Sequence, residues 1–304
     1  MLASKTLARA NGPMRTTAIS PRLNGLPFCL ALSSAVLLSA LGGCGATTLV
    51  GSELEARKAT EERHAKAKAL FEERCKTAGV VIKRTVKDVE GIELLKVRPV
   101  LAWGDKRYFD PMFDGAAMAG ETQGEGYIAS FLYSELRNPN TPEQRGVIQP
   151  PMSKPGMNQE APRQGYRYVD VRDQGGSAVQ RYRIAPHLTE AQWYQRGGWA
   201  KDLERTVRTG PQAPFAVDYE DIVDPADRAY WIAGTRIKVI DQLTGEVIAQ
   251  LTRFVWDPGF GVSTTGRWPW SHADSRGNQQ CPNPNGFRGY TTRYFVDSVL
   301  IPIQ

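Results

Sequence analysis

Histidine and cysteine are scarce in this chain, with three histidines and four cysteines among 304 residues. None of them stands near another at the close spacing of a zinc site, so no metal is expected. A Gly-x-Ser-x-Gly elbow is missing, and Gly261-Val262-Ser263-Thr264-Thr265-Gly266 is one residue out of pattern. A phosphate-cradling glycine-rich loop ending in Lys-Ser or Lys-Thr is missing too. These absences argue against the common serine hydrolases and the P-loop nucleotide enzymes. The longest apolar run, Leu26 to Leu41, is broken by Pro27, Ser33, Ser34 and Ser39. It falls short of the roughly 20 apolar residues that cross a bilayer.

What is present begins with that run. Lys5, Arg9, Arg15 and Arg22 precede it without any acidic residue, the charge order of an export signal, with either Met1 or Met14 as its start. The run ends in Leu41-Gly42-Gly43-Cys44. This tetrad resembles the bacterial lipobox, in which an aliphatic and two small residues precede a cysteine that takes diacylglycerol. The resemblance implies a signal peptide over residues 1–43, a lipid-bearing Cys44, and a bilayer as partner through the acylated cysteine. Gly45, rather than Asp, follows Cys44, which by the same resemblance implies the outer membrane, facing the periplasm.

Processing at that point changes the composition. Four of the 38 basic residues leave with the signal, so 34 face 32 acidic ones and the formal charge falls from +6 to +2. A nucleic-acid partner loses its main support. Cys29 is removed and Cys44 becomes a thioether, leaving Cys75 and Cys281. In an oxidising compartment such a pair suggests a disulfide; two buried free thiols are the alternative.

Along the mature chain, residues 44–51 read as a tether and residues 52–304 as a single domain. Ser52 and Glu55 form a capping box, and the helix after them carries a narrow apolar stripe, Ala67, Leu70, Phe71, Cys75 and Ala78. Its first turns read as solvated and its last turns as docked. Val80–Val86 and Gly91–Val97 read as a pair of strands, and Tyr127–Leu136 as strand or helix. Proline, glycine and glutamine accumulate over 138–165, which predicts a long exposed loop. Tyr166–Arg172 with Ala178–Ile184, and Tyr230–Ile240 with Glu246–Trp256, read as hairpins. Thr189–Arg196 reads as a short helix, Phe215–Tyr219 as a strand, and the segment around Phe295 and Val299 as helical. The class predicted is α+β, an N-terminal helix packed on a mostly antiparallel sheet with long aromatic and proline-rich loops.

Candidate chemistry is thin. His187 with Glu190 and His272 with Asp274 could each set an imidazole beside a carboxylate, and Asp105, Asp110 and Asp114 could supply paired carboxylates. His64 falls on a charged helix face. Trp256, Trp268 and Trp270, with Phe260 and Phe287, form the candidate binding surface if exposed, a platform for sugar rings or a protein anchor. Buried, they would be a small core under a loop pinned by Cys281, which is the expected arrangement.

Two stretches carry a wider resemblance: Cys75-Lys76-Thr77-Ala78-Gly79 through Leu94-Leu95-Lys96, and Asp227-Arg228-Ala229-Tyr230-Trp231-Ile232-Ala233-Gly234 through Asp257-Pro258-Gly259. They resemble a proteobacterial family, many of whose members look like lipoproteins, that has no assigned activity. The resemblance implies the domain limits and the cysteine pair but no chemistry and no cofactor. The function expected is a non-enzymatic envelope lipoprotein that binds an envelope protein or a cell-wall component. A cell-envelope hydrolase using the loop carboxylates or a His-carboxylate pair is the alternative.

Overall fold

A computed structural model describes residues 43–102, 104–138, 141–148, 165–172, 178–184, 203–263, 266–274, 276–282 and 289–303. The chain falls into two compact units, Met1–Glu53 and Leu54–Gln304. Every strand among the described residues belongs to the second unit.

The elements in order are α1 (Gly43–Cys75), β1 (Gly79–Ile82), β2 (Val86–Val89), β3 (Gly91–Leu94), α2 (Glu125–Leu132), β4 (Ser134–Asn138), β5 (Thr141–Ile148), β6 (Tyr168–Arg172) and β7 (Val179–Ile184). They continue with β8 (Leu203–Val207), β9 (Phe215–Ile222), α3 (Pro225–Arg228), β10 (Ile232–Asp241), β11 (Val247–Trp256), α4 (Pro269–Ala273), β12 (Gln280–Cys281), α5 (Thr291–Val299) and β13 (Leu300–Pro302). A nine-stranded sheet runs β1-β11-β10-β9-β3-β6-β7-β8, with β12 also paired to β11. Only β3 lies parallel to its neighbours, β6 and β9; the other pairings are antiparallel. The fold is α+β, as the pattern predicts.

The β10–β11 hairpin forms because period-2 alternation sets Ile237 opposite Leu251 and Val239 opposite Ala249 on one face, and Lys238 opposite Gln250 on the other. Its turn is closed locally: the Asp241 carboxylate accepts from the Leu243 and Thr244 amides at 2.9 and 3.3 Å. Gly245 then takes the left-handed φ of +73°. The apolar face continues through Val217, Ile92, Leu94 and Val169, and is covered by Phe131 and Ile128 of α2 and Phe295, Val296 and Val299 of α5. Truncating the fully buried Phe131 to Ala should cost about 3–5 kcal/mol. On the opposite face the same strands carry charge. Glu220 pairs with Arg236 and Lys238, and buried Glu93 and Asp170 lie side by side on β3 and β6 under Arg172, Arg181 and Arg208.

At the β1 end that second face is closed by α1. Ala67 and Phe71 bury against Ile232, Phe254 and Trp256, while residues 52–66 stay exposed. Gly234 is required beneath them, because a Cβ there would sit 2.6 Å from the Phe254 ring. Arg74 holds the Asp227 carboxylate through Nε at 2.8 Å and Nη2 at 2.9 Å. A disulfide between Cys75 and Cys281, 206 residues apart with Cα atoms 5.6 Å apart, joins the helix end to β12.

Several expectations are corrected. The helix does not begin at a Ser52 cap after a tether over 44–51; it runs from Gly43. Residues 46–50 contain neither proline nor glycine to stop it, and Gly51 costs a helix only about 1 kcal/mol. The segments Val80–Val86 and Gly91–Val97 do not pair with each other. Asp88 adopts a φ of +59°, and the three short strands part, β1 to β11, β2 to β13 in parallel, and β3 to the sheet centre. Tyr127–Leu136 is both alternatives in succession, the end of α2 and then β4. The expected loop over 138–165 contains β5, which pairs with β4; residues 149–164, and the helix expected at 189–196, lie outside the described residues. Among the described residues no helix is long and apolar enough to cross a membrane.

The bridge closes most of the domain into one loop. In the chain-entropy model, removing it by Cys75→Ser with Cys281→Ser lowers stability by about 2–5 kcal/mol. Urea unfolding of the oxidised chain against the double variant measures the loss, and non-reducing peptide mass mapping finds the two cysteine peptides joined. An unchanged midpoint would show that the bridge closes nothing the fold does not already hold.

Candidate functional site

The tryptophans do not lie where a binding surface of exposed rings would put them. Trp256 is 5 % exposed and Trp270 is fully buried, the expected arrangement, and neither offers the exposed platform that was the other possibility. Trp256 packs beneath α1, its ring centroid 5.7 Å from Phe71 and 5.0 Å from His64. His64 thus rests on an aromatic ring, while its residue stays exposed. Trp270 stacks on Trp231 at 4.8 Å, and half-buried Trp268 stacks on Tyr108 at 5.1 Å. Gly261 permits this cluster, because a Cβ there would stand 1.9 Å from the Trp231 ring. Trp231, Trp268, Trp270 and Phe260 belong to a second core and Trp256 to the cluster under α1, as the expected buried arrangement has it, and Phe287 lies outside the described residues.

The carboxylates divide. Asp105 caps a short 3-10 turn and is clamped by Arg107, whose Nε and Nη2 donate at 3.0 and 2.9 Å. Hydrogen bonds from the Arg107 side chain and amide hold its pKa down at about 2. Asp274 is buried and committed: one oxygen pairs with Arg253 and the other accepts from the Gly120 amide at 2.6 Å. His187 and Glu190 lie outside the described residues. Asp110 and Asp114 remain exposed, and both line a cleft of about 440 Å³.

That cleft is built where β9 and β10 run past their hydrocarbon face. Tyr219 and Asp221 of β9 point to the same side as Ile237 and Thr235 opposite them. Arg98 reaches in from the irregular segment after β3 and binds Asp221 with two bonds of 3.0 Å. It also donates to Thr235 Oγ1 at 3.2 Å, and its guanidinium lies 3.9 Å over the Tyr219 ring. Burial opposes the Arg98 charge, but the Asp221 carboxylate more than offsets it and raises the pKa. The remaining wall is Leu101, Met112, Phe113, Met118 and Gln123. Trp270 Nε1 donates to the Asp110 carbonyl at 2.7 Å and so fixes the rim from behind.

Two further buried charges support the cleft. Arg228 makes long contacts of 3.4–3.5 Å to the carbonyls of Pro111, Asp114 and Ile222, its guanidinium lies 5.4 Å over the Trp270 ring, and its Nε has no hydrogen-bond partner among the described residues. Burial pulls its pKa down, against the fields of Asp221 and Asp114. Glu121 is fixed through Oε1 by the Thr292 amide at 3.0 Å, while Oε2 has no partner among the described residues. Desolvation, helped by the Asp274 charge, raises its pKa to about 7 against the Thr292 hydrogen bond and the fields of Arg98 and Arg253. Neither residue carried a chemical signal in the sequence: the Thr292 partner of Glu121 lies 171 residues away, and Pro111 and Asp114 lie 117 and 114 residues from Arg228.

Among the described residues no group of His, Cys, Asp or Glu has the geometry to hold a metal ion. No protein-family model matches this chain, and the search of curated proteins and that of solved structures likewise return no match. Chemistry therefore has to be read from the cleft itself.

Glu121 makes stability depend on pH. Unfolded, it titrates near 4.5, and folded, near 7. Between those values the native state keeps a proton that the unfolded chain has lost, so stability falls as pH rises through the window and levels off above it. The loss is on the order of 3 kcal/mol. Glu121→Gln keeps the acceptor for Thr292 and removes the titration. Urea unfolding at pH 5 and pH 8 should show a smaller difference in the variant than in the parent; equal differences would mean Glu121 does not carry the effect.

Proposed function

We propose that this chain is a lipid-anchored envelope lipoprotein whose domain binds a partner rather than catalysing a reaction. The observation that carries the reading is Leu41-Gly42-Gly43-Cys44 at the end of an apolar run, directly ahead of a disulfide-linked domain. An acylated Cys44 holds the domain at a bilayer; triacylation far exceeds the marginal affinity of one chain, at about 0.8 kcal/mol per buried methylene. A bridge between Cys75 and Cys281 fits the oxidising periplasm. Gly45 in place of Asp supports the outer membrane as the site of anchoring. The partner sought is an envelope protein or a cell-wall component, since a net charge of +2 on the processed chain gives nucleic acid little to bind.

One observation keeps the hydrolase alternative in view: Asp110 and Asp114 open onto one cleft. Double replacement by Asn would abolish turnover of cell-wall fragments if they were an acid and base pair.

Cells fed an alkyne-tagged palmitate should yield labelled protein whose mature N-terminus is Cys44. The Cys44→Ala variant should be unlabelled and leave the membrane fraction. Cleavage at another residue, or an unlabelled parent protein, overturns the reading of the anchor. Crosslinking capture by the lipidated protein from envelope membranes, read by mass spectrometry, then tests for the partner.

A further inference from the structure

We infer that the cleft over β9 is the ligand site of this domain, and that it takes a small amphipathic cation, a protonated amine on a short hydrocarbon body. The inference rests on reading the chain as a binding module. The volume, about 440 Å³, lies in the range of small-molecule sites, usually about 300–1,000 Å³.

Each guanidinium that lines it already holds a carboxylate. Arg98 gives two bonds to Asp221 and one to Thr235, and Arg107 gives two to Asp105. Arg228 lies behind the wall, turned to the carbonyls of Pro111, Asp114 and Ile222. The acceptors are not spent. Asp110 and Asp114 are exposed and make no ion pair among the described residues; Asp110 accepts only the Met112 amide, at 2.8 Å, through one side-chain oxygen. A ligand entering here meets two carboxylates that have no ion pair among the described residues, while the lining guanidiniums of Arg98 and Arg107 are each paired with a carboxylate.

The body of the ligand is set by the other lining. Met112 is 43 % exposed at the rim, and Phe113, Leu101 and Met118 continue an apolar wall inward to the buried Arg98–Asp221 pair. A hydrocarbon chain of a few carbons covers that wall while its ammonium stays at the Asp110–Asp114 rim. A lysine-like side chain or a diamine has this form. The rim is also held in place before binding, by the Trp270 bond to the Asp110 carbonyl and the stack of Tyr108 on Trp268, so little ordering cost falls on the ligand.

Titration calorimetry of the purified full chain with pentylamine, pentanoate and pentanol tests the proposal. Pentylamine should bind, and pentanoate should bind at least about tenfold more weakly. Asp110→Asn with Asp114→Asn should weaken pentylamine about tenfold, the usual order for losing charged hydrogen-bond acceptors, and leave pentanol unchanged. The asparagine that replaces Asp110 can still accept the Met112 amide, so the rim keeps its shape; circular dichroism and the unfolding midpoint check this. No heat with pentylamine up to about 10 mM, equal binding of pentanoate, or an indifferent double variant overturns the proposal. The double variant also goes through the envelope capture experiment. A partner retained there, with no amine binding, sinks the cleft and leaves the binding module standing; no partner captured by any form sinks the module itself.

Discussion

Buried charge has to be matched where the inner face of the sheet turns from hydrocarbon to polar groups, and the irregular half of the molecule is arranged around that requirement. Along β10 and β11 the inward positions run Val239 and Ile237, then Thr235, and Ala249 and Leu251, then Arg253. The helices α2 and α5 cover the first part with side-chain carbon. They could not cover Arg253, Thr235 and Asp221 without leaving polar groups stranded, at a cost of several kcal/mol for an unpaired ion. The segment from Arg98 to Gln123 and the stretch around Asp274 do so with charges and carbonyls instead. Arg98 takes Asp221; Arg253 takes Asp274, the Ala117 carbonyl at 2.9 Å and Gln280.

This matching fixes chain segments that have no regular structure to hold them. Gly120, Glu121 and Thr122 are tied in succession, to Asp274, to the Thr292 amide and to the Gly289 carbonyl. One stretch of three residues therefore joins the ends of α4 and α5 to the strand that carries Arg253. Glu121 is the exception within the set, because a single amide and two more distant arginines do not compensate its burial. It stays protonated up to about neutral pH for that reason.

How much of this is legible in the sequence depends on the distance over which each signal acts. The β10–β11 hairpin is legible because Asp241 and Gly245 make its turn within five residues, and the pairing of β6 with β7 because Asp173-Gln174-Gly175-Gly176-Ser177 marks a turn in the sequence between them. The docked stripe of α1 is legible in the helical spacing of Ala67, Leu70 and Phe71. The separation of β1, β2 and β3 is not, because each four-residue strand finds its partner far along the chain. Nor is the cleft. Arg98 and Asp221 are 123 residues apart, and a lone arginine before a proline carries no mark of the carboxylate it will meet. Asp105, Asp110 and Asp114 look alike in sequence, and only the clamp from Arg107 removes the first from the solvent-facing set.

The tryptophan-rich segment fills cores, as expected, and acts on the cleft from there. Aromatic rings clustered among glycine and proline are expected either to meet a ligand or to fill a core, and here Trp256 fills the seam under α1 while Trp270 fills the space beside Trp231. Their influence on the cleft is indirect. Trp270 binds the carbonyl of Asp110, and Trp268 stacks against Tyr108, whose hydroxyl receives Gln123 Nε2 at 3.5 Å. Asp110 and Gln123 both line the cleft, so its rim is held by rings that do not line it. A flexible rim carrying two exposed carboxylates without ion pairs would spread apart by mutual repulsion; one fixed through its backbone keeps them facing the same opening. The aromatic cluster thus acts on recognition by holding the backbone under the carboxylates.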